Sequence, residues 1–326
     1  MKNIDDWPFP DKEKLFCYLS GNSYCSERYK LFYVATPKVA CTSIKWWFAS
    51  LSGLSKKDII YADSNESDPD LAIHDTMHQL APNVTGLSPQ SLIEPLTSDL
   101  YFRFCVVRNP FARIFSAWQS KLLYREPLQS DPFKHLDFYN HQINSVEDIA
   151  LAYEGFLEHI LNLEASALDP HWSLQFGLLR PDLISYSKIE KLENINELSE
   201  ELVEFIGESI PYPLSQTFKN TNLIPYSIKF LTDRSITIIQ ELYAKDFEFF
   251  GYDTIPPLGR ESFSAAEFNV AIRAIELVRG RHARLVQITN KSVNEVTKLV
   301  NMLSEVNELR NSLAAIYLSR SWRITS

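Results

Sequence analysis

The chain has nine glycines in 326 residues and none between Asn22 and Ser52. That gap excludes the nucleotide-triphosphatase loop G-x-x-x-x-G-K-[ST] from a turn that runs through lysine into a helical pattern, because the loop needs glycines to bring backbone close to phosphate. Cysteine is scarce too. Cys17, Cys25, Cys41 and Cys105 show no metal-ligand spacing and read as reduced thiols, so no metal is expected. No window reaches the roughly 18 uncharged apolar residues of a membrane span, and residues 1–8 lack an apolar signal region. The expectation is a cytoplasmic protein with no membrane span. Positive charge is also short: the formal net charge is −9 and the pI about 5.4, which argues against a nucleic-acid partner. Any anion site must be local, since residues after Arg260 balance at +3 and the first 260 at −12.

What is present is apolar and periodic. With 45% hydrophobic and 13% aromatic residues the chain can bury a large core. Buried strands are expected at 30–35, 100–107 and 183–186, and helices at 42–51, near 73–80, and at 194–206 and 233–250. A further helix should start with Asn109 as N-cap and Pro110 in its first turn, and run to about Tyr124. Residues 56–89 read as a loop-rich excursion. Strands alternating with helices imply an α/β fold, a mostly parallel sheet flanked by helices, with ligands beyond the carboxyl ends of the strands. That domain should occupy 1–260. A helical extension, a possible linker to a further module, should occupy 261–326. There Val296, Leu299, Leu303, Val306 and Leu313 fall at a/d spacing, with Arg310 interrupting an a position. A short coiled coil allowing self-association and a helix packed on its own domain both fit.

Two basic segments leave the ends of apolar strands and enter helices: Thr36-Pro37-Lys38-Val39-Ala40-Cys41-Thr42-Ser43, and Arg108-Asn109-Pro110-Phe111-Ala112-Arg113-Ile114-Phe115-Ser116-Ala117-Trp118. A strand-to-helix turn aims unpaired N–H groups and the positive end of the helix dipole at an anion. Lysine and arginine add full charge. The pair suits two phosphate-like groups on one ligand.

The first segment resembles the 5′-phosphosulfate loop, and the second the 3′-phosphate segment, of the sulfotransferases that use 3′-phosphoadenosine 5′-phosphosulfate, especially their carbohydrate-sulfating branch. The two stand in the family's order, about 70 residues apart. Weaker matches are His74-Asp75-Thr76-Met77-His78, His171-Trp172, and residues 186–193 with Lys191 in place. The resemblance covers roughly 28–253. It implies a P-loop-like sheet, that nucleotide as sulfuryl donor, and a carbohydrate or glycolipid acceptor. Animal members carry a cysteine pair shortly after the His-Trp, where this chain has Leu178-Leu179-Arg180-Pro181-Asp182. Ser319-Arg320-Ser321-Trp322-Arg323-Ile324-Thr325 is similar to a segment of bacterial surface-polysaccharide proteins that carry glycosyltransferase domains.

The resemblance also implies roles. Pro37, Lys38, Val39, Ala40, Cys41, Thr42 and Ser43 would form the donor loop, with Lys38 on the bridging and non-bridging oxygens and Thr42, Ser43 and loop N–H groups on the 5′-phosphate. Arg108 and Ser116 would grip the 3′-phosphate. Arg113, at i and i+3 with Ser116, fits either donor binding or a structural ion pair. Lys219 and Asn220 fit a loop closing over the nucleotide, or a plain turn. Phe115 and Trp118 read as core. His78, His74, His171 and a carboxylate compete as the base for the acceptor hydroxyl. A small-molecule kinase with an atypical phosphate loop and a non-catalytic adaptor in polysaccharide assembly are the alternatives to sulfuryl transfer.

Overall fold

A computed structural model describes residue 4 and residues 7–8, 11–66, 68–207 and 222–318. Lys219, Asn220 and the closing 319–325 segment lie outside the described residues. Helix α1 (Asp11–Asn22) runs directly into strand β1 (Ser23–Ser26), which pairs antiparallel with β2 (Leu31–Val34). Four helices follow: α2 (Cys41–Leu51), α3 (Lys56–Ile60), α4 (Ile73–Leu80) and α5 (Pro89–Thr97). Strand β3 (Phe102–Val107) leads to α6 (Pro110–Trp118), a π-helical turn at Gln119–Leu123, α7 (Pro127–Ser130), α8 (Asp137–Asn140), α9 (Val146–Leu161) and α10 (Gln175–Leu179). Strand β4 (Lys188–Lys191) precedes α11 (Ile195–Ile206), α12 (Asp233–Leu242), α13 (Ala244–Phe250) and α14 (Ala265–Leu318).

The sheet order is β1-β2-β3-β4, with β2, β3 and β4 parallel, Tyr33 opposite Phe104 and Val107 opposite Lys191. Strands β2 and β3 are buried on both faces, which is why they read as apolar runs, interrupted in β3 by the buried Arg103. Tyr33, Phe104 and Val106 face a cluster with Ile44, Phe48, Ile73 and Leu198, from α2, α4 and α11. Phe32, Val34, Cys105 and Val107 face the opposite way, against Leu19, Leu92 and Leu179. A third cluster places Phe115 and Trp118 among Tyr153, Phe156 and Phe230, so both aromatics are core. This packing fixes the carboxyl ends of β2 and β3 side by side, each opening into a helix.

The strand expected at 183–186 is a correction. Leu183 and Ile184 are irregular backbone whose side chains enter the core beside Leu179, and the Tyr186 hydroxyl donates to the Leu179 carbonyl at 2.7 Å. The strand forms two residues later as Lys188-Ile189-Glu190-Lys191. At a sheet edge, charged residues are tolerated and lysine discourages further pairing, so apolar content misplaces the strand. Lys188 there contacts Glu190 at 3.4 Å and Glu201 at 3.0 Å. The helix expected at 233–250 is two, breaking at Tyr243.

The chain falls into two compact units, 1–276 and 277–326. In the first, Phe268 and Ile275 of α14 are buried in the third cluster. In the second, Val296, Leu299, Leu303, Val306 and Leu313 are 50–63% exposed.

Candidate active site

The first basic loop achieves without glycine what phosphate loops achieve with it. Lys38 and Ala40 both adopt positive φ, 70° and 66°, with Val39 between them outside that region. Alternating signs of φ turn successive N–H groups toward one concavity, an anion-binding nest. For L-residues this conformation is strained, and such strain is characteristic of functional loops. Ala40 is also the N-cap of α2, where no side chain caps the helix and no acidic residue occupies the first turn. The first N–H groups of α2 therefore remain available, and the helix dipole is unopposed. Lys38 has no carboxylate within ion-pair distance among the described residues, and burial, with Lys121 and Arg108 nearby, lowers its pKa from 10.5 to about 7. Thr36, at the loop entrance, is fully buried, and its hydroxyl has no hydrogen-bond partner among the described residues. These features fit an anionic phosphate group.

The second segment is tied to the first. Asn109 caps α6 by accepting from the Phe111 N–H at 3.0 Å, with Pro110 in the first turn. Arg108 Nη1 donates to the Lys38 carbonyl at 3.3 Å, and Gln175 pairs with both the N–H and carbonyl of Arg108 at 2.9 Å. Gln175 is itself held by the buried Asp246 carboxylate, which accepts from the N–H groups of Gln175 and Phe176 at 2.8 Å. Arg113 is fully buried and donates to three carbonyls: Pro37 at 3.0 Å, Ser173 at 2.8 Å and Pro170 at 3.0 Å. It forms no carboxylate ion pair among the described residues; it fastens the Lys38 loop to the segment carrying His171. Ser116 Oγ donates to Asn222 Oδ1 at 3.3 Å.

The three histidines separate. His78 is exposed on α4. His74, one turn earlier, faces the start of α2: its Nε2 lies 2.9 Å from Thr42 Oγ1 and its Nδ1 2.9 Å from Lys45 Nζ. Burial, then Lys45, Lys121 and Lys38, hold its pKa well below 6.5. His171 Nδ1 lies 2.6 Å from Asp169 Oδ1. Burial pushes His171 down to about 4 against the Asp169 hydrogen bond, with Lys121 and Lys38 adding to the depression. Burial raises Asp169, but the hydrogen bonds from His171 outweigh it and hold the carboxyl below its usual range. The imidazole is thus neutral, Nδ1–H donates to the carboxylate, and Nε2 keeps a lone pair for a proton.

Sequence reasoning missed Lys45, Glu66, Lys121, Glu126, Asp169 and Gln175. Lys121 comes from the π-helical turn after α6 and lies 3.7 Å from Glu126, both side chains buried. Widened turns of this kind redirect a side chain and recur at functional sites. One oxygen each of Glu66 and Glu126 is buried without a hydrogen-bond partner among the described residues. Burial raises the pKa of Glu66, with Lys121 opposing it and Glu126 adding to it. A signal existed for Asp169, two residues before His171, and for Lys121, eight past Arg113 on a continuing helical pattern. None existed for Glu66, in the 56–89 excursion.

Fold and site define an α/β protein in which two adjacent strand-to-helix turns gather an uncapped helix N-terminus, Lys38, Arg108 and Lys121 beside a histidine, an arrangement suited to an anionic ligand. The chain belongs to the sulfotransferase family, which matches residues 22–253. It is 24% identical over 244 residues to carbohydrate sulfotransferase 10 of Gallus gallus, covering 70% of this chain and 66% of that protein. It is 25% identical over 273 residues to carbohydrate sulfotransferase 12 of Mus musculus, covering 75% and 64%. The chain spans about two thirds of the length of these relatives. No solved structure matches.

Proposed function

We propose that this chain transfers a sulfuryl group from 3′-phosphoadenosine 5′-phosphosulfate to a hydroxyl of a carbohydrate or glycolipid acceptor. The observation that carries the reading is the meeting of the uncapped α2 nest and Lys38 with Arg108, Lys121 and the His171–Asp169 pair. Lys38 and the α2 N–H groups hold the phosphosulfate, and Arg108 and Ser116 the 3′-phosphate. His171 Nε2 takes the acceptor proton as the new oxygen–sulfur bond forms and the bond from sulfur to the bridging phosphate oxygen breaks; its electron pair leaves on 3′-phosphoadenosine 5′-phosphate. Lys38 offsets the charge growing on that leaving oxygen. Burial is the main cause of the low His171 pKa, and the Lys121 and Lys38 charges add to it; donor binding neutralises that added part and strengthens the base. Unlike His74, His171 has a free lone pair, and unlike the exposed His78 it is oriented by Asp169 beside Lys121 and Lys38.

Relatives named as carbohydrate sulfotransferases support the acceptor class. Four free cysteines support a reducing compartment, the cytoplasm. The exposed apolar stripe on α14 supports self-association through a coiled coil. Labelled donor incubated with a glycan and glycolipid panel tests the activity: labelled product that vanishes in Lys38→Ala is expected, and unchanged turnover in that variant overturns the donor assignment. Binding of ATP with magnesium, and none of the phosphosulfate nucleotide, would replace the reading with a kinase; binding of neither would leave the adaptor.

A further inference from the structure

Lys45 is 5% exposed, lies in the first turns of α2, and has no carboxylate partner among the described residues. Its ammonium sits 5.4 Å from the centre of the Tyr24 ring and 2.9 Å from His74 Nδ1. An ammonium only donates, so Nδ1 accepts and carries no proton. A neutral imidazole then has its proton on Nε2, which donates to Thr42 Oγ1 across 2.9 Å. The Thr42 hydroxyl, with its oxygen already accepting, is left to donate its own proton elsewhere. Its only hydrogen-bond partner among the described residues is His74, and it stands in the uncapped first turn of α2.

We propose that His74 is a positioning residue: a neutral bridge that carries the polarisation of the Lys45 ammonium to the Thr42 hydroxyl and fixes that hydroxyl as a donor to the 5′-phosphate of the nucleotide. The inference rests on the donor reading above and goes beyond it by removing His74 from the proton-transfer step. Its single lone pair is engaged by an ammonium, so it has none for an acceptor hydroxyl. Polarised hydrogen-bond chains strengthen each member, and a donor aimed at an anion is stronger than one between neutral groups. Charge buried one helical turn below the nest thereby acts at the nest without a second lysine entering it.

Calorimetric titration with 3′-phosphoadenosine 5′-phosphate, alongside turnover, tests the bridge. His74→Leu and Thr42→Val should each weaken nucleotide binding about tenfold, as loss of one hydrogen bond to a charged group does. The double variant should be no weaker than either single one. His74→Gln should restore affinity to within about threefold and keep most of kcat, because an amide oxygen accepts from Lys45 while its nitrogen donates to Thr42, spaced much as in imidazole. Two results overturn the proposal: additive losses in the double variant, or a His74→Gln enzyme that binds nucleotide normally and loses kcat a hundredfold, the signature of a base. Should His74→Leu fail to fold, His74→Gln alone decides by the same two readouts. A parent protein that does not bind the nucleotide overturns the donor reading itself, a result distinct from both.

Discussion

Lys38 illustrates how a site residue strains the fold that holds it. Its pKa in the folded chain, about 7, lies below the ordinary 10.5. Between those values the unfolded chain holds a proton that the folded chain does not, so stability rises with pH across that window. Below pH 7 both forms are charged and the full penalty stands. Lys38→Met removes it: the variant should be more stable than the parent at pH 6, with the difference closing as pH approaches 10.5. Urea denaturation at a series of pH values reads this directly, and a pH-independent difference would contradict it. Donor affinity carries the opposite sign. As pH rises through 7, free enzyme loses the Lys38 charge, so nucleotide binding should weaken and, at pH 8, take up a proton, visible as a buffer-dependent heat. At His171 the expectation concerns rate: His171→Ala should lower kcat by about 10²–10⁴-fold with nucleotide affinity unchanged. Asp169→Asn should lower it less, since the lone pair survives and only its orientation is lost.

Elements decide how these residues meet. The two strand-to-helix turns were legible because each is local: strand, basic turn and helix start lie within a dozen residues, and Asn109-Pro110 announces α6. The strained geometry was not. Nothing in Lys38-Val39-Ala40 signals positive φ, which the surrounding packing imposes. Ala40→Gly should relieve that strain, less the entropy glycine adds to the unfolded chain, for a net gain of about 0.5 kcal/mol in denaturant stability. The helical pattern past Arg113 carried Lys121, but not the π-turn that shifts its register; Glu66 comes from a long loop; and β4 forms from a charged edge segment that no apolar pattern marks. Arg113 falls between: its position in the motif was evident, its three carbonyl partners in two distant segments were not. Arg113→Met should leave three buried carbonyls short of a donor and destabilise the chain by about 3 kcal/mol. In protein that remains folded, kcat should fall more than nucleotide affinity, because the distance between the Lys38 loop and the His171 segment is what the guanidinium sets.

The whole molecule is acidic, so its cationic site works by local burial rather than by a long-range field. The extension poses a different problem. Helix α14 runs for 54 residues, and in its second half Leu299, Met302, Leu303, Val306, Leu309 and Ile316 are 50–70% exposed. They fall on one broad stripe, the a, d and g positions of a heptad, wider than the narrow seam of a two-stranded coil. Arg310, in an a position, would restrict register if a second copy covered the stripe. Self-association predicts a mass in solution above the 37.6 kDa of one chain, measured by light scattering at micromolar concentration. Leu299→Glu with Val306→Glu should return the protein to monomer mass, because each buried leucine or valine contributes about 1.5–3 kcal/mol to such an interface and a glutamate reverses it. Nucleotide affinity should not change, since neither residue lies in the unit that carries the site. A parent chain that is monomeric at those concentrations would leave this stripe to a partner other than itself.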